Sequence, residues 1–454
     1  LPRPTIRGSG LTLRYHDDAA APPLLHIDRF SSSAGIWGLL AHRLHLRDVT
    51  LDGLDVRIPA DGVDVPHGDT PHRGIRAPIL IDTIEAHRAR LEIPSHRKDR
   101  LPRIFDIENL RIDGFGLDRG ARFRAQLVNP LPRGHIATNG TFGPWNTGVP
   151  EQTPVKGDYT FSHANLGDIK GIAGTLSSVG RYAGVLERLV VEGRTDTPDF
   201  RLDIAGAPVP LTTRFKAVVD GTNGDTWLES VDARLGQTSI AAKGEVVRAQ
   251  AVKGRRIALD VRVAAGRIED LMRLAVNTPK PPLLGRIDVV TTFLLPAGDA
   301  AVADRLQLEG TFTLARARFT NLDVERRITL LSLRGRGDDD GDGTGEHVVS
   351  NLHGRFKLRN GTLALSDLRF TVPGAEARLD GTYDLHSEAI DLAGDLLMDA
   401  SLADMTHGVK SVLARLAQPL FRRKGGGSRL PIRISGTRSH PSFGLDVHRV
   451  FHRR

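Results

Sequence analysis

The sequence predicts a mainly β fold: an elongated, curled antiparallel sheet shaped as a β-groove, with a few short helices and a C-terminal amphipathic helix. Apolar residues alternate with polar ones in short runs, the pattern of strands that bury one face. Turn-forming residues separate the runs, and the 454 residues include 48 Gly and 26 Pro. Aromatic residues make up only 5%, so the buried face is built from Leu, Ile and Val.

Taken from the N-terminus, the alternation places Leu11, Leu13 and Tyr15 on one face, then Leu44 and Leu46, Val49 and Leu51, and Val56 and Ile58. Phe123, Ala125 and Leu127 continue it. A helix is expected between these runs over residues 34–43 (AGIWGLLAHR). The central third repeats the pattern at Phe200, Leu202 and Ile204, at Phe215, Ala217 and Val219, and at Ile257, Leu259, Val261 and Val263. Residues 267–276 and 322–333 have helical spacing.

The C-terminal third is a meander of hairpins. Its apolar positions are Phe356 and Leu358, Leu363 and Leu365, Leu368, Phe370 and Val372, Leu379, Tyr383 and Leu385, and Ile390 and Leu392. Turns are expected at Asn360-Gly361, Pro373-Gly374 and Asp380-Gly381, because Asn-Gly and Asp-Gly tolerate positive φ. Residues 402–421 form the strongest helix, with Leu402, Met405, Val409, Leu413, Leu416 and Leu420 on one stripe. With Lys410, Arg415 and the basic residues after it, the stripe suits either a membrane surface or a cover for the last sheet edge.

Soft joints fall at residues 61–74, 143–154, 338–346 and the GGGS stretch. The organisation expected is an N-terminal β region (1–135), a central β-groove region (136–300) and a C-terminal β-groove region (301–454) closed by the helix.

The net charge of +8 is spread along the chain. It suits an anionic membrane surface or nucleic acid, but three Trp and four Tyr are too few for base-stacking platforms. With no cysteine, disulfides, zinc thiolates and thiol nucleophiles are excluded. The longest apolar run, near Ala34 to Ala41, is far shorter than the roughly 20 residues that cross a bilayer. The chain opens on Leu1 rather than Met, which leaves room for a signal or anchor before it.

Catalytic and phosphate-binding signatures are missing: no G-x-S-x-G, P-loop or H-E-x-x-H pattern occurs. Asp338, Asp340, Asp342 and Gly343 match the opening of a calcium loop, but position twelve is Val349 rather than a bidentate Glu. His42 with His45, and His448 with His452, have helical spacing and no third ligand. Neither a metal nor another cofactor is expected.

Alternation alone allows a closed sandwich or an open trough, and an open trough must be filled. Its candidate lining residues are Phe215, Val219, Leu259, Val261, Phe312, Leu314, Phe356, Leu358, Leu363, Leu365, Phe370, Leu379, Leu385 and Leu392. An acyl chain of about sixteen methylenes buried there gains about 13 kcal/mol before entropy losses.

Several long stretches decide between these shapes. Residues 44–59 (LHLRDVTLDGLDVRIP), 140–145 (GTFGPW), 154–161 (PVKGDYTF), 169–187 (IKGIAGTLSSVGRYAGVLE), 208–224 and 430–447 resemble the AsmA-like family of Gram-negative envelope proteins. The resemblance implies an architecture related to TamB-like, bridge-type lipid-transfer proteins. It also implies a periplasmic location, an inner-membrane anchor preceding this sequence, and a phospholipid or other acyl lipid in the groove. No catalytic residues come with it, and no nucleic acid. Two functions remain open: lipid binding and transport in outer-membrane assembly or envelope homeostasis, or a scaffold for envelope proteins without lipid. An enzymatic, glycan-active alternative would need two nearby carboxylates in a cleft.

Overall fold

In the computed structural model, residues 5–13, 25–34, 45–57, 80–93, 103–116, 119–146, 149–204, 207–249, 252, 254–276, 278, 280–336, 348–400 and 427–446 are described. The first strands are β1 (Thr5–Leu13), β2 (Leu25–Ala34), β3 (His45–Arg57), β4 (Leu80–Ile93), β5 (Arg103–Gly116), β6 (Ala121–Pro130), β7 (Arg133–Phe142) and β8 (Pro154–Asn165). After the short β9 (Ile172–Ala173) come β10 (Thr175–Val185), β11 (Arg188–Thr197), the short β12 (Arg201–Leu202), β13 (Leu211–Val219), β14 (Thr226–Leu235), β15 (Thr238–Arg248), β16 (Arg255–Arg267), β17 (Leu283–Leu295) and β18 (Gln307–Phe319). The last are β19 (Ser350–Arg359), β20 (Thr362–Val372), β21 (Ala375–Asp384), β22 (Ala389–Met398), β23 (Ser428–Thr437) and β24 (Pro441–Leu445). Three helices, α1 (Ile268–Ala275), α2 (Val302–Arg305) and α3 (Leu322–Arg336), interrupt them.

All but β9 and β12 join one 22-stranded sheet. Each strand pairs with its predecessor and successor, antiparallel at every step except β3 with β4, which is parallel. The sheet is a single layer that curls without closing into a barrel. The expected elongated antiparallel sheet is therefore observed, and the helices over 267–276 and 322–333 form as α1 and α3. The expected helices over 34–43 and 402–421, the acidic stretch at 338–346 and His42, His448 and His452 lie largely or wholly outside the described residues, whereas His45 opens β3.

The curl has a local cause. Arg88, His163, Ala265, Arg316 and Asp367 have positive φ near 50°, and the pairing register shifts beside the last three. Ala265, Arg316 and Asp367 are each the extra residue of a β-bulge, which bends a strand and increases its twist. Three bulges share one fastening. The Ala265 amide donates to Asp288 Oδ1 (2.8 Å), the Arg316 amide to Asn351 Oδ1 (3.2 Å) and the Asp367 amide to Asp380 Oδ1 (2.9 Å). In each case the acceptor belongs to the following strand.

This corrects two expectations. Asp380-Gly381 is not a turn but lies within β21, paired with Ala393 and Leu392. Asp380 is placed to hold the bulge at Asp367, and Gly381 faces its neighbours too closely for a side chain. The turn comes instead after Asp384, whose Oδ1 accepts from the amides of His386 (3.1 Å) and Ser387 (2.8 Å). The alternation at Phe200, Leu202 and Ile204 likewise yields only β12, paired with β9 outside the main sheet. Pro208 and Pro210 follow it closely and cannot donate to a ladder.

Candidate functional site

The two faces of the sheet differ in chemistry. One carries ion pairs between neighbouring strands: Arg29 and Arg88 on Asp52 (2.6 and 2.7 Å), Arg111 on Glu85 (2.6 Å), Arg181 on Glu192 (2.7 Å), Lys216 on Glu229 (3.0 Å), Lys357 on Glu309 (2.9 Å) and Arg433 on Asp391 (2.8 Å). The Arg88 guanidinium, followed by Arg29, holds the Asp52 carboxyl below its ordinary pKa, and Arg181 does the same for Glu192. Depressions of about 600 and 670 Å³ on this face are lined by residues such as Asp158, Arg181, Glu192 and Asn139. They are open hollows between charges, unsuited to an acyl chain.

The other face is a continuous apolar trough. Directly paired residues can be followed across all 22 strands: Gly8, Phe30, Leu51, Ala86, Leu110, Ala125, Thr138, Tyr159, Gly180, Gly193 and Phe215. The row goes on through Val231, Ala242, Val261, Thr291, Gly310, Phe356, Leu365, Gly381, Leu392, Ile434 and Phe443. No member is charged. Paired residues in a sheet point to the same side, so this row is a floor line running the length of the sheet. At about 4.8 Å per strand it extends about 100 Å.

Thirteen of the fourteen lining candidates are strand residues on this face. Phe215, Val261, Phe356, Leu365 and Leu392 are in the row. Leu259, Leu358 and Leu363 stand beside it, joined through Phe293 and Leu308. Phe312, Leu314, Phe370, Leu379 and Val219 complete the set. Leu385 is the exception, half-buried in the turn after β21.

Leu314, Leu358 and Leu379 are buried, at 1%, 5% and 4% exposure. The other ten strand candidates keep partial exposure. A sandwich would cover them with a second large sheet, and among the described residues the sole sheet besides the main one is the two-residue ribbon of β9 and β12. Burial is greatest where the chain fills this face itself: Ile27, Leu51, Leu54, Ala86, Ala89, Ile107 and Ala125 of β2 to β6 pack on one another, and beyond them α1 packs Ile268 and Leu271 against Val263, Ile287 and Leu314. Farther along, α3 packs Ile328 against Val372, Ala375 and Met398.

The mouth of the trough is crossed once in the described residues. The β8–β10 connection and the β17–β18 connection emerge on opposite rims, because the intervening antiparallel strands alternate in direction. They nevertheless touch: the Val302 amide donates to the Lys170 carbonyl at 3.0 Å. Gly171 has φ +97°, and a Cβ there would lie 2.7 Å from the Val302 nitrogen. Leu166, Val302 and Ala303 are buried around the contact. Residues 166–174 therefore form a strap over the trough, which the sequence did not announce.

Sequence reading also missed a hydroxyl cluster on the floor of β7 to β10. Tyr182 Oη lies 2.7 Å from Thr138 Oγ1, and Tyr159 Oη lies 3.1 Å from Ser178 Oγ. Burial pushes both phenols above their ordinary pKa of 10.0. The only sequence signal was the glycines opposite them, Gly157 and Gly180, where flat rings can lie. No cluster of three metal-ligating side chains occurs among the described residues, and no described helix is long and apolar enough to cross a membrane. No family model, no curated protein and no solved structure matches this chain.

Proposed function

We propose that this protein is a non-enzymatic, AsmA-like envelope protein that holds or conducts acyl lipid in its trough, on the periplasmic side of the inner membrane. One observation carries the reading: a floor line about 100 Å long without a charged residue, beside apolar side chains that the chain leaves partly uncovered. Exposed apolar surface on this scale marks a binding surface. Each buried methylene of a ligand gains about 0.8 kcal/mol. The paired charges of the opposite face keep the outside in water, so an acyl chain in the trough is shielded without being enclosed.

The test uses two adjacent positions that face opposite ways. A photoreactive amino acid at Leu365 faces the trough, and one at Ala364 faces water. Crosslinking in a Gram-negative cell is expected to yield lipid adducts from position 365 and none from 364. Polypeptide adducts from 365 with no lipid would favour the alternative, a scaffold that receives partner strands at its sheet edges.

A further inference from the structure

The trough is not uniformly greasy. Across β7 to β13 its floor carries Thr138, Tyr159, Ser178, Tyr182, Thr195 and Thr213. In the middle row from Val231 to Leu392, by contrast, Thr291 is the one hydroxyl.

The hydrogens of this waist can be assigned. Thr138 Oγ1 donates its only hydrogen to the Asp158 carbonyl (2.8 Å), so the 2.7 Å contact requires Tyr182 to donate to Thr138. Ser178 Oγ donates to the Arg194 carbonyl (3.0 Å), so Tyr159 donates to Ser178. Both phenols thus spend their hydrogens on the protein and keep oxygen lone pairs as acceptors. Their rings are held down by the glycines beneath: a Cβ at Gly180 would lie 2.7 Å from the Tyr159 ring, and one at Gly157 2.8 Å from Tyr182 Oη. Flat rings leave the lumen above them open.

A ligand polar group seated here must bring its own hydrogens. It must also be uncharged, since the middle floor row holds no counter-ion and an unpaired ion costs several kcal/mol to bury. We propose that the waist is a recognition station for the hydroxyl-bearing end of a neutral amphiphile, a glycerol-type head, with Tyr159 and Tyr182 as acceptors. Its acyl chain would lie on the apolar floor of β14 to β22. The proposal rests on the lipid reading above.

The probes are monoolein, which has hydroxyl donors, and methyl oleate, which has the same chain and none. The full chain is expected to bind monoolein about tenfold more tightly, the worth of one or two neutral hydrogen bonds. The Tyr159→Phe/Tyr182→Phe double variant keeps both rings and should bind the two probes equally, with methyl oleate unchanged. Thr138→Val, close in shape, frees the Tyr182 hydrogen and should narrow the preference by raising methyl oleate. Equal binding of both probes by the unaltered chain, or a preference that survives the double variant, overturns the station and leaves the lipid reading standing. Binding of neither probe removes both.

Discussion

Leu314 and Leu365 show how one apolar face serves two purposes. Leu314 is 1% exposed and packs with Val263 and Ile287 near the rim, so Leu314→Ala is expected to cost about 2–5 kcal/mol. Leu365 keeps part of its surface open, and Leu365→Ala should cost about 1 kcal/mol. Denaturant midpoints of the two variants check the contrast; equal losses would mean that the trough is filled. Tyr159 and Tyr182 supply a pH readout. Their folded pKa is raised by burial, so they favour folding fully below pH 10.0 and cease to as pH rises through the folded value. Ultraviolet titration should find three phenols ionising later than free tyrosine, Tyr159, Tyr182 and the likewise buried Tyr383, with only the last remaining in the double Phe variant. The lining positions were legible because period-two alternation assigns faces directly. The tyrosine waist was not, because it depends on which strand meets which, and pairing register is set by bulges and turns rather than by any single run.

Among the elements, the bulge fastenings were misread most instructively. Asp380-Gly381 has the composition of a hairpin turn, yet that aspartate serves Asp367 across the ladder. A side chain that caps its own backbone in a turn and one that caps a neighbouring strand look identical in sequence. Asp288→Ala, Asn351→Ala and Asp380→Ala should each hand a bulge amide over to water and cost about 0.5–1.5 kcal/mol. The strap behaves differently, since Gly171→Ala meets the Val302 nitrogen. The expected outcome is faster hydrogen exchange of the Val302 amide with little change in global stability, while the amides between β16 and β17 stay slow. The parallel β3–β4 pairing also escaped notice, although the 22 residues from 58 to 79 between them are far more than a hairpin needs.

At the scale of the molecule, composition and alternation together indicated a turn-rich aliphatic sheet, and the resemblance to AsmA-like proteins supplied the choice of trough over sandwich. The structure bears out that shape through a floor line joined strand by strand from Gly8 to Phe443. The outer ion pairs belong to this scale too. Asp52, Glu192, Glu309 and Asp391 all have carboxyl pKa values lowered by their basic partners. Their contribution is present above the ordinary carboxyl range, near 3.8 to 4.5, and is lost as pH falls through the lower folded values. Because the pairs are exposed, salt should weaken the effect. The most direct test of the whole account is native mass spectrometry of the gently purified chain. Acyl lipid should ride with the protein, and Val261→Arg together with Leu365→Arg on the floor line should strip it while the chain stays folded. A folded, unaltered chain that carries no lipid, and takes up none when offered phospholipid vesicles, would contradict it.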